Sequence, residues 1–574
     1  MANTLIQLTL DDSRRLTGKS LLWDQPGAII DAFVEGIDKP RVVNQWQVCV
    51  RQLLDGLGWQ GEQTCYRLFE DGISVAISAP LDALYAACDI NMTAWEWTCA
   101  ELTGVPRPES LAQTLVRLRQ VIIDEANPAL LRLIALAKQH NAPWLSDDDD
   151  FSLGYGASVQ VWPVTALPDP ERIDWRHFKT LPLALVTGTN GKSTSVRLLS
   201  QMVQQSGRCC GVTSTDFVRV GEHIIDRGDY SGPGGARILL RHPDTETAIL
   251  EMARGGILRR GLPVDRVDAA LITNIAADHL GQYGINTLDA LTRAKAVVAK
   301  ALDGGTLVLN ADDPQLVALA PELEVTKCWF SLNPDHLVLQ AQRTRGGAVC
   351  FLRNGLLVYG DNNAEEEIIG VDDIPMTLNG AARHNIQNAL GAIGLAKSLG
   401  LDSLSIACAL RQFCSSIDDN PGRGNQFQVN DATVIMDFAH NAHSMNAMAA
   451  TLANMPAQRK LLMLSMPGDR SDQEITESTQ AVLAMQPDLL VVAELEVYLR
   501  GRELGEVPRL IADAAVAMGL PAQKILFSDS PYSGAKLIVE QLQRGDLTLL
   551  LALSDREEII DLLGKVSSYQ SDRG

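Results

Sequence analysis

The densest chemistry in the chain lies in twelve consecutive residues, Leu183-Ala-Leu-Val-Thr-Gly-Thr-Asn-Gly-Lys-Ser-Thr194: an apolar run, a Gly-rich turn and the start of a helical repeat. Gly188 and Gly191 free the backbone to wrap closely around a phosphate chain, with Thr189 and Asn190 between them. A helix beginning at Lys192 aims its N–H groups and the positive end of its dipole at that phosphate, and the Lys192 ammonium neutralises the β/γ-phosphates. Ser193 supplies an oxygen for Mg²⁺, and Thr194 closes the nucleotide-binding stretch. The loop departs from the common GxxxxGK[ST] form, because Val186 stands where the first Gly would be.

Other apolar runs end in residues that could share this site. Ala248-Ile-Leu-Glu251 ends in a carboxylate, and Thr273-Asn-Ile-Ala-Ala-Asp-His279 follows another such run, with Lys295 further on. Arg383-His-Asn-Ile-Gln-Asn388 opens a helical pattern; Asn420-Pro-Gly-Arg423 and Val434-Ile-Met-Asp-Phe-Ala-His440 come later. Taken one at a time, Glu251 reads as a surface acid, His279 as a satisfied polar group, Lys295 as a helix-surface lysine, and Asn385 and Asn388 as ordinary caps. In a parallel sheet, ligands gather at the carboxyl ends of the strands, so the same residues could instead converge on the phosphate loop.

The loop TGTNGKS resembles the form found in the Mur ligase superfamily, the ATP-dependent amide-bond formers. The later segments follow in the order of that superfamily, over about residues 175–570. The resemblance implies ATP and two Mg²⁺ ions, with Ser193, Glu251, His279 and Lys295 as metal ligands, Lys295 after carbamylation. It implies Asn385 and Asn388 beside the adenine, Arg423 on the nucleotide phosphates, Asp437 on the ribose hydroxyls and His440 near the transferred phosphate. Met466-Pro-Gly-Asp-Arg470, Leu499-Arg-Gly-Arg502, Tyr230-Ser-Gly-Pro-Gly-Gly-Ala-Arg237 and Ala253-Arg-Gly-Gly256 are closer to the Mur-like half of cyanophycin synthetases than to the peptidoglycan ligases. The ATP-grasp ligase that precedes that half in cyanophycin synthetases has no counterpart between the linker and the phosphate loop. The implied activity is ATP-dependent, ADP-forming ligation of a carboxylate, activated as an acylphosphate, to the amine of an amino acid or peptide. A catalytically degenerate ATP-binding partner of another ligase is the alternative.

These residues need strands and helices to hold them. Short apolar runs alternate with helical periodicity beyond about residue 178, the mark of parallel α/β units. Candidate strands are 183–186, 248–250, 270–273, 306–309, 434–436, 461–464, 489–492 and 547–553, and Val196, Leu199 and Val203 share one helical face. The interval 321–379 reads as irregular strands and loops. Pro163, Pro168 and Pro170 mark a linker, which divides the chain into an N-terminal α+β domain (1–165), a central phosphate-loop domain (176–417) and a Rossmann-like C-terminal domain (418–574). The N-terminal part contains most of the nine Trp, which suit a core. Its acidic run, Asp147–Asp150, reads as a solvated loop or, less simply, a cation site.

With 49 Lys+Arg against 70 Asp+Glu, the 574-residue chain carries a formal charge of −21, which argues against gripping nucleic acid or anionic lipid. No apolar run reaches the roughly 20 residues a bilayer demands, and the first residues lack the pattern of a secretion signal. A cytoplasmic protein is expected, with a second copy of the chain or a separate ligase as an open partner. The ten Cys, in no CxxC pair, read as reduced and mostly buried thiols.

Overall fold

The computed structural model describes residues 6–362, 364–453 and 455–567. Among them the chain forms four sheets. The central sheet runs, edge to edge, through His223–Arg227, Phe217–Val220, Cys210–Thr213, Thr247–Glu251, Leu183–Thr187, Val267–Ile272, Leu302–Asn310, Thr326–Ser331, Val349–Arg353, Leu356–Asp361 and Ala364–Gly370. Its middle, from Cys210–Thr213 to Val349–Arg353, is parallel, and antiparallel strands extend it on both sides. The near-continuous apolar runs seen in the sequence are what strands covered on both faces require. Helices Lys192–Gln205, Arg383–Ser398 and Ser403–Gln412 pack on one face, and Pro233–Leu240, Leu288–Ala296 and Pro314–Leu319 on the other. The register sets Glu251 level with Val186 and Ile272 level with Thr187, so the residues after these strands emerge at one edge beside the phosphate loop.

The interval 321–379 corrects the expectation of irregular strands and loops. It adds strands Thr326–Ser331, Val349–Arg353, Leu356–Asp361 and Ala364–Gly370 to the central sheet, with helix Leu337–Thr344 between the first two. The apolar alternation is weak because the edge strands are half solvated: Ala364–Gly370 buries only Ile368 and Ile369 while Glu365, Glu366 and Glu367 face water.

The C-terminal sheet has the order Asn425–Val429, Ala432–Asp437, Leu547–Leu551, Lys460–Leu464, Leu489–Ala493, Ile525–Ser528; all but its first strand are parallel. The N-terminal sheet is antiparallel, ordered Gln7–Leu16, Gly27–Glu35, Gly72–Ser78, Thr64–Leu68. Helices Lys39–Leu57 and Leu84–Thr103 cover one of its faces, and Trp46 and Trp97 sit in that core, as the Trp content suggested. Ile173, Trp175 and Phe178 of the linker pack against the cluster around Phe151 and Leu153, next to the three-stranded sheet Trp144–Ser146, Asp150–Leu153, Gln160–Pro163.

Two smaller expectations change. The acidic run is a loop as far as Asp149, with Asp148 and Asp149 exposed, but it is not free of partners: Asp147 pairs with Arg241 at 2.7 Å and Arg237 at 3.2 Å, and Asp148 with Arg15 at 2.6 Å. Arginines distant in sequence pair with Asp147 and Asp148. The ten thiols are free, but only Cys49, Cys210, Cys328 and Cys350 are buried; Cys414 is exposed and the others are partly exposed. No helix among the described residues is long and apolar enough to cross a membrane.

Candidate functional site

The phosphate loop joins strand Leu183–Thr187 to helix Lys192–Gln205. Its two glycines are needed for separate reasons. Gly188 (φ 143°) lies so close to Thr273 that a Cβ would come within 1.9 Å of its Oγ1, and Gly191 (φ 83°) is pressed against Asn388 Oδ1. The loop is tied to the segment after the neighbouring strand: Thr189 N–H donates to Asn274 O (2.9 Å), Asn190 N–H to Asn274 Oδ1 (2.9 Å) and Thr273 Oγ1 to Asn190 O (2.6 Å). Lys192 Nζ donates to Gly188 O and Thr189 O at 3.0 and 2.9 Å, folding its ammonium over the loop. Burial lowers its pKa, against the opposing pull of Glu251 and Asp278.

Ser193 Oγ donates to Glu251 Oε1 at 3.2 Å and lies 3.5 Å from Thr215 Oγ1. Glu251 is 1% exposed, and its Oε2 has no hydrogen-bond partner. Burial raises its pKa even beside Lys192 and Arg423. An orphaned carboxylate oxygen next to a hydroxyl suits a divalent cation, and Mg²⁺ is usually bound by one or two carboxylates together with substrate phosphates. Among the described residues, no cluster of three or more His, Cys, Asp or Glu side chains forms a self-contained metal cage.

Asp278 and His279 stand on the loop after Val267–Ile272. Burial would raise the Asp278 carboxyl, but His440, His279 and Arg470 together hold it well below the ordinary carboxylate range. Burial pushes His279 down to about 4, which leaves it neutral. Its Nε2 lies 3.1 Å from Arg470 Nη2, and its Nδ1 has no hydrogen-bond partner. Lys295 is 3% exposed and donates to Gly188 O at 2.8 Å. Burial, reinforced by the Lys192 ammonium, lowers its pKa well below the ordinary lysine range.

The second wall comes from the C-terminal sheet. Strand Ala432–Asp437 delivers Asp437 and then His440, whose Nε2 is 3.8 Å from Asp278 Oδ2. Desolvation raises Asp437 to about 6, although Arg423 opposes the shift. Two guanidinium groups approach the Phe438 ring, with Arg423 Cζ at 5.3 Å and Arg556 Cζ at 5.0 Å from its centroid; Arg423 Nε is buried without a partner. Asn385 donates to Met376 O at 2.8 Å and Asn388 to Asn385 Oδ1 at 3.3 Å. Neither caps its helix, whose N-cap is Ala382.

Thr189 through Thr194, Glu251, His279, Lys295, Asn385, Asn388, Arg423, Asp437 and His440 all line one cleft of about 660 Å³. Gly188 lies behind them and presents its carbonyl to both lysines. Several contacts here were not anticipated from the sequence. Arg470 Nη2 donates to Asp278 Oδ1 at 2.9 Å, and the Asn190 and Asn441 amides pair reciprocally at 3.0 and 3.2 Å. Buried Arg197 donates to Asn420 Oδ1 at 2.8 Å and pairs with Asp216, which also meets Arg556. Asp278 could have been found as the acid preceding His279, and Arg470 as the end of the PGDR segment. Arg197 carries no local signal.

A phosphate loop at the carboxyl edge of a parallel sheet, faced by a second α/β domain, defines a nucleotide-binding cleft between two α/β domains. Residues 186–396 match the Mur ligase middle domain and residues 422–552 the Mur ligase, glutamate ligase domain. Together these matches span more than half of the chain, which belongs to the Mur ligase family. It is 37% identical over 338 residues to the cyanophycin synthetase of Crocosphaera subtropica, covering 59% of this chain and 38% of that protein. The chain therefore spans well under half the length of these curated relatives. It is 26% identical over 388 residues to the UDP-N-acetylmuramoyl-tripeptide–D-alanyl-D-alanine ligase of a Synechocystis species, covering 64% and 76% of the two chains. Its fold resembles that of a bifunctional folylpolyglutamate synthase/dihydrofolate synthase solved with Mn, AMPPNP and L-glutamate: TM-score 0.51, 20% identity, 67% of this chain and 89% of that one.

Proposed function

We propose that the chain is an ATP-dependent ligase that joins a carboxylate to an amine, and that residues 1–165, 176–417 and 418–574 act as its three domains. The observation that carries this reading is the single cleft shared by Lys192, the Ser193–Glu251 pair, His279 and the C-terminal trio Arg423, Asp437 and His440. Cyanophycin synthetases and the Mur-type ligases are the relatives that support it.

In the first step, a carboxylate oxygen of the donor substrate attacks the γ-phosphorus; the bridging bond to the β-phosphate breaks and ADP leaves. In the second, the amine attacks the acyl carbon, the C–N bond forms, phosphate leaves and the amine loses a proton. Lys192 and Arg423 hold the phosphates from opposite walls, Asp437 takes the ribose hydroxyls, and Asn385 and Asn388 border the base. The protein's work in the first step is positioning and charge neutralisation. Ser193 and Glu251 would hold one Mg²⁺, and His279 with carbamylated Lys295 a second. Bound there, the ions would neutralise phosphate oxygens and so make the γ-phosphorus more electrophilic. Lys295, buried and with its pKa lowered by that burial, is suited, once deprotonated, to attack CO₂, forming an N–C bond and releasing a proton. Contact between the two walls keeps water from the acylphosphate.

An ADP-release screen over pairs of amino acids and short peptides, followed by mass determination of the product, tests the reading. Amine-dependent ADP release with a product mass equal to the two substrates less water is expected. Nucleotide binding without turnover on any pair would instead assign the chain as a degenerate partner subunit. Steady ADP release without an amine would assign a plain ATPase.

A further inference from the structure

We propose that the N-terminal four-stranded sheet clamps the loop that carries His279, with Arg67 as a positioning residue for that histidine. This rests on the reading of His279 as a site residue given above. The loop has left-handed backbone at His279 (φ 52°), Gly281 (φ 92°), Tyr283 (φ 54°) and Gly284 (φ 61°). Two of these residues carry side chains that disfavour this region, so the conformation persists only where its surroundings over-determine it.

Three domains supply those surroundings. Arg254 of the central domain donates to His279 O and, at 2.7 Å, to Gln282 Oε1. Arg470 of the C-terminal domain meets His279 Nε2. From the N-terminal sheet, Arg67 uses both ends of its guanidinium on consecutive carbonyls, Tyr283 O at 2.6 Å and Gly284 O at 2.7 Å. Phe69 fills the space beside Gly284, where a Cβ would come within 2.4 Å of the ring.

Behind Arg67 the sheet face carries a chain of polar groups beside the small apolar cluster of Leu16, Ile29 and Ala76. Ser74 Oγ accepts from Arg67 at 3.2 Å and donates to Asp31 Oδ1 at 2.6 Å; Asp31 Oδ2 pairs with Arg14 at 2.7 Å. Arg14 lies 5.1 Å from the Tyr283 ring centroid and donates to Leu258 O (3.3 Å), on the same short helix that supplies Arg254. Alternation along Gly27–Glu35 sends Ala28, Ile30 and Ala32 to the helix-covered core and Asp31 to the opposite face. Buried ion pairs are poor sources of stability; their best-attested use is to specify one geometry. Here that geometry is the seat of the His279 loop.

The test compares Arg67→Ala and Arg67→Lys with Lys19→Ala in the full chain. Lys19 Nζ donates to Asp265 O and Lys300 O, across the same domain interface but away from the loop. Arg67→Ala is expected to cut kcat for amine-dependent ADP release by about 10²-fold, as small misplacements in a site do, with little change in KM for ATP. Hydrogen exchange of the 279–285 amides should accelerate in Arg67→Ala and not in Lys19→Ala. Arg67→Lys should fall between, because an ammonium cannot fork two carbonyls; it carries the comparison if the alanine variant does not fold. Equal rates and equal exchange in the Arg67 and Lys19 variants, or acceleration spread evenly over the N-terminal sheet, would overturn the clamp. If the unaltered protein ligates no substrate pair, the ligase reading fails, and the exchange measurement alone decides the clamp.

Discussion

The two walls of the cleft are built in opposite ways. The central wall is backbone architecture: the phosphate loop, Glu251 and the 273–279 segment leave adjacent parallel strands in fixed register, and the loop is tied to its neighbour by short main-chain and Asn274 contacts. The C-terminal wall meets it through side chains: Asn441 to Asn190, Arg470 to Asp278 and His279, Asn420 to Arg197 and Thr194, Arg556 to Asp216. A wall made of strand tips is organised before any ligand arrives. A wall joined by polar side chains at a domain boundary can part and re-form, as lid and hinge motions require. The lesson is that binding of nucleotide phosphate should depend on the first wall and completion of the reacting site on both.

The sharpest way to break this contrast is at the central wall. Lys192→Ala or Glu251→Ala should lower amine-dependent ADP release by about 10³-fold, in the range of losing a preorganised electrostatic group, with circular dichroism unchanged. Full activity in either variant would remove its assigned role. Across the cleft, Arg423→Ala should cost about 10²-fold in turnover while the melting temperature changes little; a large melting shift with modest kinetic loss would make Arg423 structural.

A pH series sharpens the contrast further. With its pKa raised to about 6, Asp437 takes up its proton in the folded protein at a higher pH than in the unfolded chain, whose Asp has the ordinary value of 3.8. Its contribution to folding stability is therefore fully present below the unfolded value and is lost as pH rises through about 6. Its proposed role as an acceptor for ribose hydroxyls runs the other way, so nucleotide affinity should rise between pH 5 and 7. Asp437→Asn should flatten both limbs in denaturant titration and nucleotide binding; an unchanged profile would move the titration to another group. His279, already neutral above about 4, should add no limb near its usual value. The smallest effect is expected for Asn441→Ala: loss of the amide pair with Asn190 should cost about 0.5–1.5 kcal/mol of closure, read as a several-fold rise in KM for ATP with kcat nearly kept.

The central wall was the legible one. A strand, a Gly-rich turn and a helix in twelve residues form a local pattern, and Glu251 and His279 follow apolar runs whose register any parallel sheet would align. The interval 321–379 was misread because its edge strands bury one face only in part, which blurs the period-2 signal. The ion pairs of the acidic run were not legible because its partners Arg15, Arg237 and Arg241 come from other segments. Asp278 stood in plain view beside His279, yet its importance depends on His440 and Arg470, which local pattern does not connect to it.

By itself, the sequence determined that a phosphate loop exists, that it begins a helix, and that carboxylates and histidines end several buried strands; these are properties of neighbouring residues and of helix and strand periodicity. Only the tertiary structure decided that Arg470 reaches Asp278 across 192 positions and that Arg67 holds Tyr283 across 216. The physical reason is that such polar contacts depend on how whole domains dock, and docking leaves no period in the chain to read.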